Sequence, residues 1–371
     1  MESAHDNNQT HASLDAFRDK DLARGLISSI EKLAPEHAVL MEVCGTHTVS
    51  IARNGIRNLM PEGTRLASGP GCPVCVTSNR DIDTVIALAR MPKITVATFG
   101  DMIRVPGSTS SLLKEKAAGA NVQVVYSPLD ALEYAQAHPD EEVVFVGVGF
   151  ETTTPLIAAT IKRASSLSLK NFSVFAAHKT MPAALETIIN DSALSVDALI
   201  LPGHVSTIIG VKPYEFLAKK YGIPGVITGF EPVDILQGIA MLMRQLHEGR
   251  AEIEIAYSRG VMQEGNPAAQ AIIDEVFEPC DASWRGLGVI PGSGCKIKKA
   301  FAQYDAVLRF NPQPEATVEH KGCRCGDVLR GIMAPSECPL FAKICSPENP
   351  IGPCMVSSEG SCAAYWRYYR S

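Results

Sequence analysis

The sequence predicts an α/β fold: two α/β domains with mostly parallel sheets, followed by a small cysteine-rich C-terminal domain. Three observations carry this. From residue 38 to 258, short apolar runs alternate with glycine-rich polar corners and amphipathic segments. The runs hold several consecutive apolar residues, as strands buried on both faces do. After residue 310 the chain becomes rich in Pro, Gly, Ser and Cys, a composition that builds little core without a staple.

Taken in order, the strand candidates are AVLMEV (38–43), RLASG (65–69), KITVATF (93–99), VQVVYS (122–127) and EVVFVGVGF (142–150). FSVFAAH (172–178), DALILPG (197–203), GVITGF (225–230) and EIEIAY (252–257) complete the set. Between them DIDTVIALAR, PLIAATIKRAS and VDILQGIAMLMRQL space their apolar residues as helices do. Nine strands suit two modest sheets, with a closed eight-stranded barrel as the alternative. The expected division is 1–36 as an N-terminal helical or flexible segment and 37–128 and 129–235 as the two α/β domains. Residues 236–371 then supply a return helix and the C-terminal domain. VGVGFETTTP and VITGFEPVD echo one another, each leaving a strand through Gly-Phe-Glu and entering a helix through proline. They are candidates for corresponding corners of two related halves.

The chain has 371 residues, 46% hydrophobic and 20% charged, with a net charge of -6. That balance gives no electrostatic reason to expect nucleic acid or an anionic membrane as partner. No apolar run approaches the ~18–20 residues that span a bilayer. The start of the chain lacks the basic-then-apolar order of a signal peptide, so a cytoplasmic location is expected. In a reducing compartment, eleven cysteines point to metal or redox chemistry ahead of structural disulfides.

Polar corners follow the strands: CGTHT, GPGCPVC, GDMIRVPG, FETTTP, HKT and HVSTIIG. Carboxyl ends of strands form the ligand-binding rim of open α/β sheets, so these corners are expected to face a cleft. Cys44 and His47 lie three apart across a glycine. They suit an iron or zinc site, a nucleophile with its base, or a buried thiol beside a capping imidazole. Cys72 and Cys75 form a CxxC without a second CxxC at a matching distance, which argues against a closed zinc knuckle. At a helix start such a pair favours reversible disulfide formation. Glu151 leads Thr152–Thr154 into a helix, as an anion cradle or simple capping, and His204 occupies a similar corner. There is no GxxxxGK[ST] loop, hence no support for a P-loop nucleotide site.

The C-terminal cysteines read C-x-C-x12-C-x6-C-x8-C-x7-C. Four thiolates for a [4Fe–4S] cluster with two to spare is one division, and zinc on four of the six is the rival. Cys325, Cys338, Cys345 and Cys362 are the expected cluster ligands, with Cys323 and Cys354 as a neighbouring redox pair, and Cys323 and Cys325 are interchangeable in these roles.

MEVCGTHT, GPGCPVC, TFGDMIRVPG, YSPLDAL, GFETTTP, PGHVS, GFEPVDILQG, WRGLGVI, ECPLF and MVSSEGSCAAYW together resemble the HypD family of hydrogenase maturation proteins. The resemblance runs from about residue 37 to the end. It implies a scaffold on which the Fe(CN)2CO group of [NiFe]-hydrogenase is assembled, in complex with the small chaperone HypC. Cyanide would come from HypE, charged through HypF. It implies two α/β domains and a C-terminal [4Fe–4S] cluster. It makes Cys44 an iron ligand assisted by His47, and Cys72 and Cys75 a redox dithiol, with Glu151 and His204 on rim motifs. A stand-alone cluster-dependent thiol–disulfide oxidoreductase and a zinc-stapled binding module are the competing functions.

Overall fold

The computed structural model describes residues 19–193 and 195–369. All nine runs singled out above become strands: β1 (Ala38–Glu42), β2 (Thr64–Ser68), β3 (Ile94–Thr98), β4 (Asn121–Val124), β5 (Glu142–Gly147), β6 (Phe172–Ala176), β7 (Ala198–Pro202), β8 (Gly225–Thr228) and β9 (Ile253–Ile255). They form two open parallel sheets, ordered β2-β1-β7-β8-β9 and β4-β3-β5-β6. Neither closes into a barrel.

Alternate residues explain the continuous apolar runs. Met41, Leu199 and Leu201 face one core, while Leu40, Ala198 and Ile200 face another on the opposite side of the same sheet. The smaller sheet does the same with Val144 and Val146 against Val143 and Phe145. Helices covering these faces begin at the signals in the sequence. Ser78 accepts from Asp81 N to start Asn79–Ala89, and Ser127 and Asp130 form a capping box for Pro128–Ala137.

The sheets do not follow the boundary expected at residue 128. Residues 37–128 supply β1 and β2 to the larger sheet and β3 and β4 to the smaller one. Residues 129–235 are split likewise, with β5 and β6 in the smaller sheet and β7 and β8 in the larger. The smaller sheet is thus inserted between β2 and β7, because pairing partners are set by packing across the chain and not by adjacency in sequence. The two Gly-Phe-Glu corners are also not equivalent. One follows the third strand in the order of its sheet and the other the fourth.

A hairpin, β10 (Phe277–Trp284) and β11 (Gly288–Ile297), is antiparallel and went unpredicted. FEPCDASW and GVIPGSGCKI carry Pro and Gly inside the strands, which reads as loop. Of the N-terminal segment, Lys20–Leu33 is a helix capped by Asp19, and residues 1–18 lie outside the described residues. The cysteine-rich region is present, but it is not a free-standing lobe. Cys325, Leu329 and Cys354 share one core with Met41, Leu199 and Trp284.

Gly238 lies in the helix Pro232–Glu248, where a Cβ would come 2.0 Å from Thr228 Cγ2. Thr228 is fully buried and its hydroxyl is 2.8 Å from His47 Nε2, so it cannot turn aside without losing that bond. Overpacking of about 1–3 kcal/mol should therefore outweigh the ~1 kcal/mol gained in helix propensity. Gly238→Ala is expected to lower the urea midpoint with an unchanged slope. A midpoint at or above that of the parent chain would show Thr228 free to rotate.

Candidate functional site

In the larger sheet β1 has β2 on one side and β7 on the other, so the strand order reverses direction between β1 and β7. Such a switch point opens a crevice beyond the carboxyl ends of the two strands. Cys44 comes from the end of β1 and His204 from the end of β7.

Cys44 is the N-cap residue of the helix Gly45–Arg53 and is 7% exposed. Its thiol is pushed up to about 12, first by burial and then by the nearby Glu359 carboxylate. Beneath it lies Glu42, fully buried. Glu42 Oε2 accepts from Cys44 N at 3.3 Å and Oε1 from Thr48 Oγ1 at 2.7 Å. Burial raises that carboxyl to about 7.

His47 is fully buried. Its Nε2 is 2.9 Å from Gly229 O and 2.8 Å from Thr228 Oγ1, while Nδ1 has no partner among the described residues. Burial lowers the imidazole to about 4, so the ring is neutral near pH 7. His47 and His204 both stack on Phe230, with centroids 4.9 and 3.9 Å away. His204 stays exposed at the rim.

The GPGCPVC corner is pressed against this site. Gly45 N donates to Gly71 O at 2.9 Å, and a Cβ on Gly71 would lie 2.2 Å from Cys44 N. Only glycine permits that approach. Cys72 and Cys75 are buried and joined as a disulfide, with Cα atoms 5.2 Å apart.

All six C-terminal cysteines line one cavity, Cys323, Cys325, Cys338, Cys345, Cys354 and Cys362. Cys325 Sγ lies 2.8 Å from Cys354 Sγ; Cys323 also bonds to Cys325, and Cys362 to Cys354. Hydrogen bonds from Cys323 and Cys354 hold the Cys325 thiol well below its ordinary range, and the two donors are raised. The spacing could not distinguish these roles, since Cys323 and Cys325 are separated by one residue. This cavity touches the CxxC corner: Cys75 Sγ is 4.0 Å from the carbonyl oxygen of Pro353, beside Cys354.

Four thiols, Cys323, Cys338, Cys345 and Cys362, then remain around the wall. Their number and softness fit the donor set of an iron–sulfur cluster. Among the described residues no three His, Cys, Asp or Glu side chains converge as a single-ion site.

Glu151 comes from the other sheet, and its charge and that of Cys44 both bear on the buried Tyr214 hydroxyl. Glu151 follows β5 in the smaller sheet, and its Oε1 accepts from Met181 N at 3.0 Å. Among the described residues no hydrogen bond or ion pair joins it to Cys44, His47 or His204. Two residues were missed. Glu359 accepts from Thr46 Oγ1 at 2.8 Å and packs on Gly45, bringing the C-terminal segment onto the Cys44 corner. His178 is buried with both ring nitrogens unpartnered among the described residues. The signal for Glu359 was a lone carboxylate in the polar turn SSEGS, and for His178 the strand-end corner HKT.

The family described as HypD, hydrogenase formation hypA family, matches residues 21–369. The chain belongs to the HypD family. It is 47% identical over 366 residues to hydrogenase maturation factor HypD2 of Bradyrhizobium diazoefficiens, covering 96% of each chain. It is 48% identical over 366 residues to HypD of Azotobacter vinelandii, covering 96% of this chain and 97% of that one. A putative hydrogenase expression/formation protein of Methanocaldococcus jannaschii is 42% identical over 357 residues, covering 95% and 99%. HypD proteins are hydrogenase maturation factors, and this chain is one by family. Among the described residues no helix is long and apolar enough to cross a membrane.

Burial pushes the Glu151 carboxyl up to about 7 from an ordinary 4.5. The folded chain therefore holds a proton that the unfolded chain releases, and the associated stability is full below about pH 4.5 and lost as pH rises through about 7. Glu151→Gln should flatten that part of the stability profile by on the order of 3 kcal/mol, measured by urea unfolding at a series of pH values. A profile as steep as the parent's would place the proton elsewhere.

Proposed function

We propose that this chain is a redox-active scaffold for the Fe(CN)2CO group of [NiFe]-hydrogenase. It works with a HypC-type chaperone and accepts cyanide from a HypE-type donor charged through HypF. One observation carries the reading. Three thiol centres adjoin in order: Cys325 with Cys354, the Cys72–Cys75 pair, and Cys44 at a sheet switch point. The iron is cargo, and Cys44 is its ligand on this chain. A soft thiolate suits low-spin iron carrying cyanide and CO. His47, neutral and fixed through Nε2, keeps Nδ1 free to accept a proton at the same corner.

Releasing cyanide from a thiocyanate-like donor takes two electrons. The reduced Cys72/Cys75 dithiol supplies them: R–S–CN and two thiols give R–SH, iron-bound cyanide, one proton and the disulfide. Cys354 and Cys325 would reduce that disulfide again by exchange, a reading supported by the approach of Cys75 to Pro353. A [4Fe–4S] cluster held by Cys323, Cys338, Cys345 and Cys362 would supply electrons one at a time. Glu151 and His204 would act on the rim, His204 through its stack on Phe230. A stand-alone thiol oxidoreductase would have no use for the Cys44 setting of Glu42, Gly71 and His47.

Infrared spectra of the anaerobically purified chain with its chaperone are expected to show cyanide and CO stretching bands, absent in Cys44→Ala. Bands that persist in that variant sink the scaffold reading, and disulfide turnover that persists without any bands favours the oxidoreductase. The cysteine roles separate as well. Cys325→Ser should keep about four iron per chain and a brown colour yet fail to reduce Cys72–Cys75, whereas Cys323→Ser should lose iron. A colourless parent chain holding zinc would overturn the cluster.

A further inference from the structure

A second cavity, of about 370 Å³, opens on the outer side of the cysteine-lined one. Cys323 and Cys325 are the residues that line both. Its size suits a small molecule. The wall is polar, with two cations, Lys114 and Arg285, beside His320, Ser108 and Asn349, and Glu319 is the one carboxylate among the described residues of the lining. Lys114 is exposed, and no side-chain hydrogen bond or ion pair involves it among the described residues.

Arg285 is 7% exposed. Its Nε donates to Thr77 O at 3.1 Å and its Nη2 to Asn79 Oδ1. A guanidinium has five N–H donors, so these two bonds leave donors for a ligand. The same turn of the hairpin closes on Cys325. Gly286 sits at φ 77°, and a Cβ there would lie 2.2 Å from Gly326 Cα. The turn therefore fixes a buried cation beside a thiol that borders the opening.

We infer that this cavity admits an anionic low-molecular-weight thiol, its carboxylates held by Lys114 and Arg285, which reduces the Cys325–Cys354 disulfide by attack on Cys325. The inference rests on the proposed cycling of that pair between dithiol and disulfide. Cys325 is the point of attack because it borders the opening, while Cys354 is 1% exposed and lines only the inner cavity. The incoming thiolate bonds to Cys325 Sγ, the Sγ–Sγ bond breaks, and Cys354 leaves as a thiolate that takes up a proton. A second thiolate attacks the external sulfur of the mixed disulfide and frees Cys325. Two small thiols are oxidised to one disulfide, and the two electrons pass to Cys325 and Cys354. The device gives the pair a two-electron input separate from one-electron chemistry at the neighbouring thiols.

The test uses the full chain, oxidised, with each cysteine's state read by alkylation and peptide mass mapping. Glutathione should reduce Cys325–Cys354 about tenfold faster than the uncharged 2-mercaptoethanol at equal thiolate concentration, and added salt should erase the difference. Lys114→Glu, an exposed change, should bring the glutathione rate down to that of the uncharged thiol and leave the latter unchanged. In Cys354→Ser, glutathione disulfide should place a glutathionyl group on Cys325. Equal rates for the two thiols, indifference to Lys114→Glu, or adducts confined to other cysteines would overturn the inference while leaving the relay intact. Oxidation that never joins Cys325 to Cys354 would overturn the relay, and this inference with it.

Discussion

Backbone meets backbone beside three of the thiols, Cys44, Cys325 and Cys354, and glycine alone allows it. Gly71 closes on Cys44, Gly286 on the Gly326 that follows Cys325, and Gly360 on the carbonyl of Cys354, each nearer than a Cβ could tolerate. A side chain at any of these points would separate two segments distant in sequence. The spacing between thiol centres is thus set by main chain, which is far stiffer than side-chain packing. Thiol exchange demands direct contact of sulfurs, so such fixed spacing is what the proposed relay would require.

The fold was legible where burial dictates composition. Strands covered on both faces must be apolar throughout, and β5 and β7 announce themselves for that reason. Which sheet each strand joins was not legible, because nothing local to β3 or β7 records its neighbour. The hairpin escaped because Pro279 and the glycines of β11 mask its pattern. In the site, Cys44 and His204 stood out as polar residues at strand ends, and strand order then brought them to one crevice. Glu359 was invisible since its place depends on docking of the last helix. The pairing of Cys325 with Cys354 depends on a turn contributed from residue 286.

Burial keeps two of the groups in the crevice uncharged near neutrality. His47 is neutral and the Cys44 thiol holds its proton. A buried thiol of this kind ionises when a metal cation takes the place of the proton, so binding and deprotonation are one event. The carboxyl of Glu42 lies directly below, donated to by the Cys44 amide and the Thr48 hydroxyl, and fixes the backbone from which the thiol projects. Orientation and low polarity are thereby supplied by separate residues.

The insertion of one sheet inside the other also sets an order in time. During synthesis Cys44 leaves the ribosome early, but its crevice lacks a second wall until β7 emerges. By then the whole inserted sheet has been made. The contact from Glu359 and the thiols beyond residue 322 follow later still. A truncated nascent chain exposes Cys44 without its surroundings. The assembled crevice therefore forms only once segments far apart in sequence, from β1 to Glu359, have all been made.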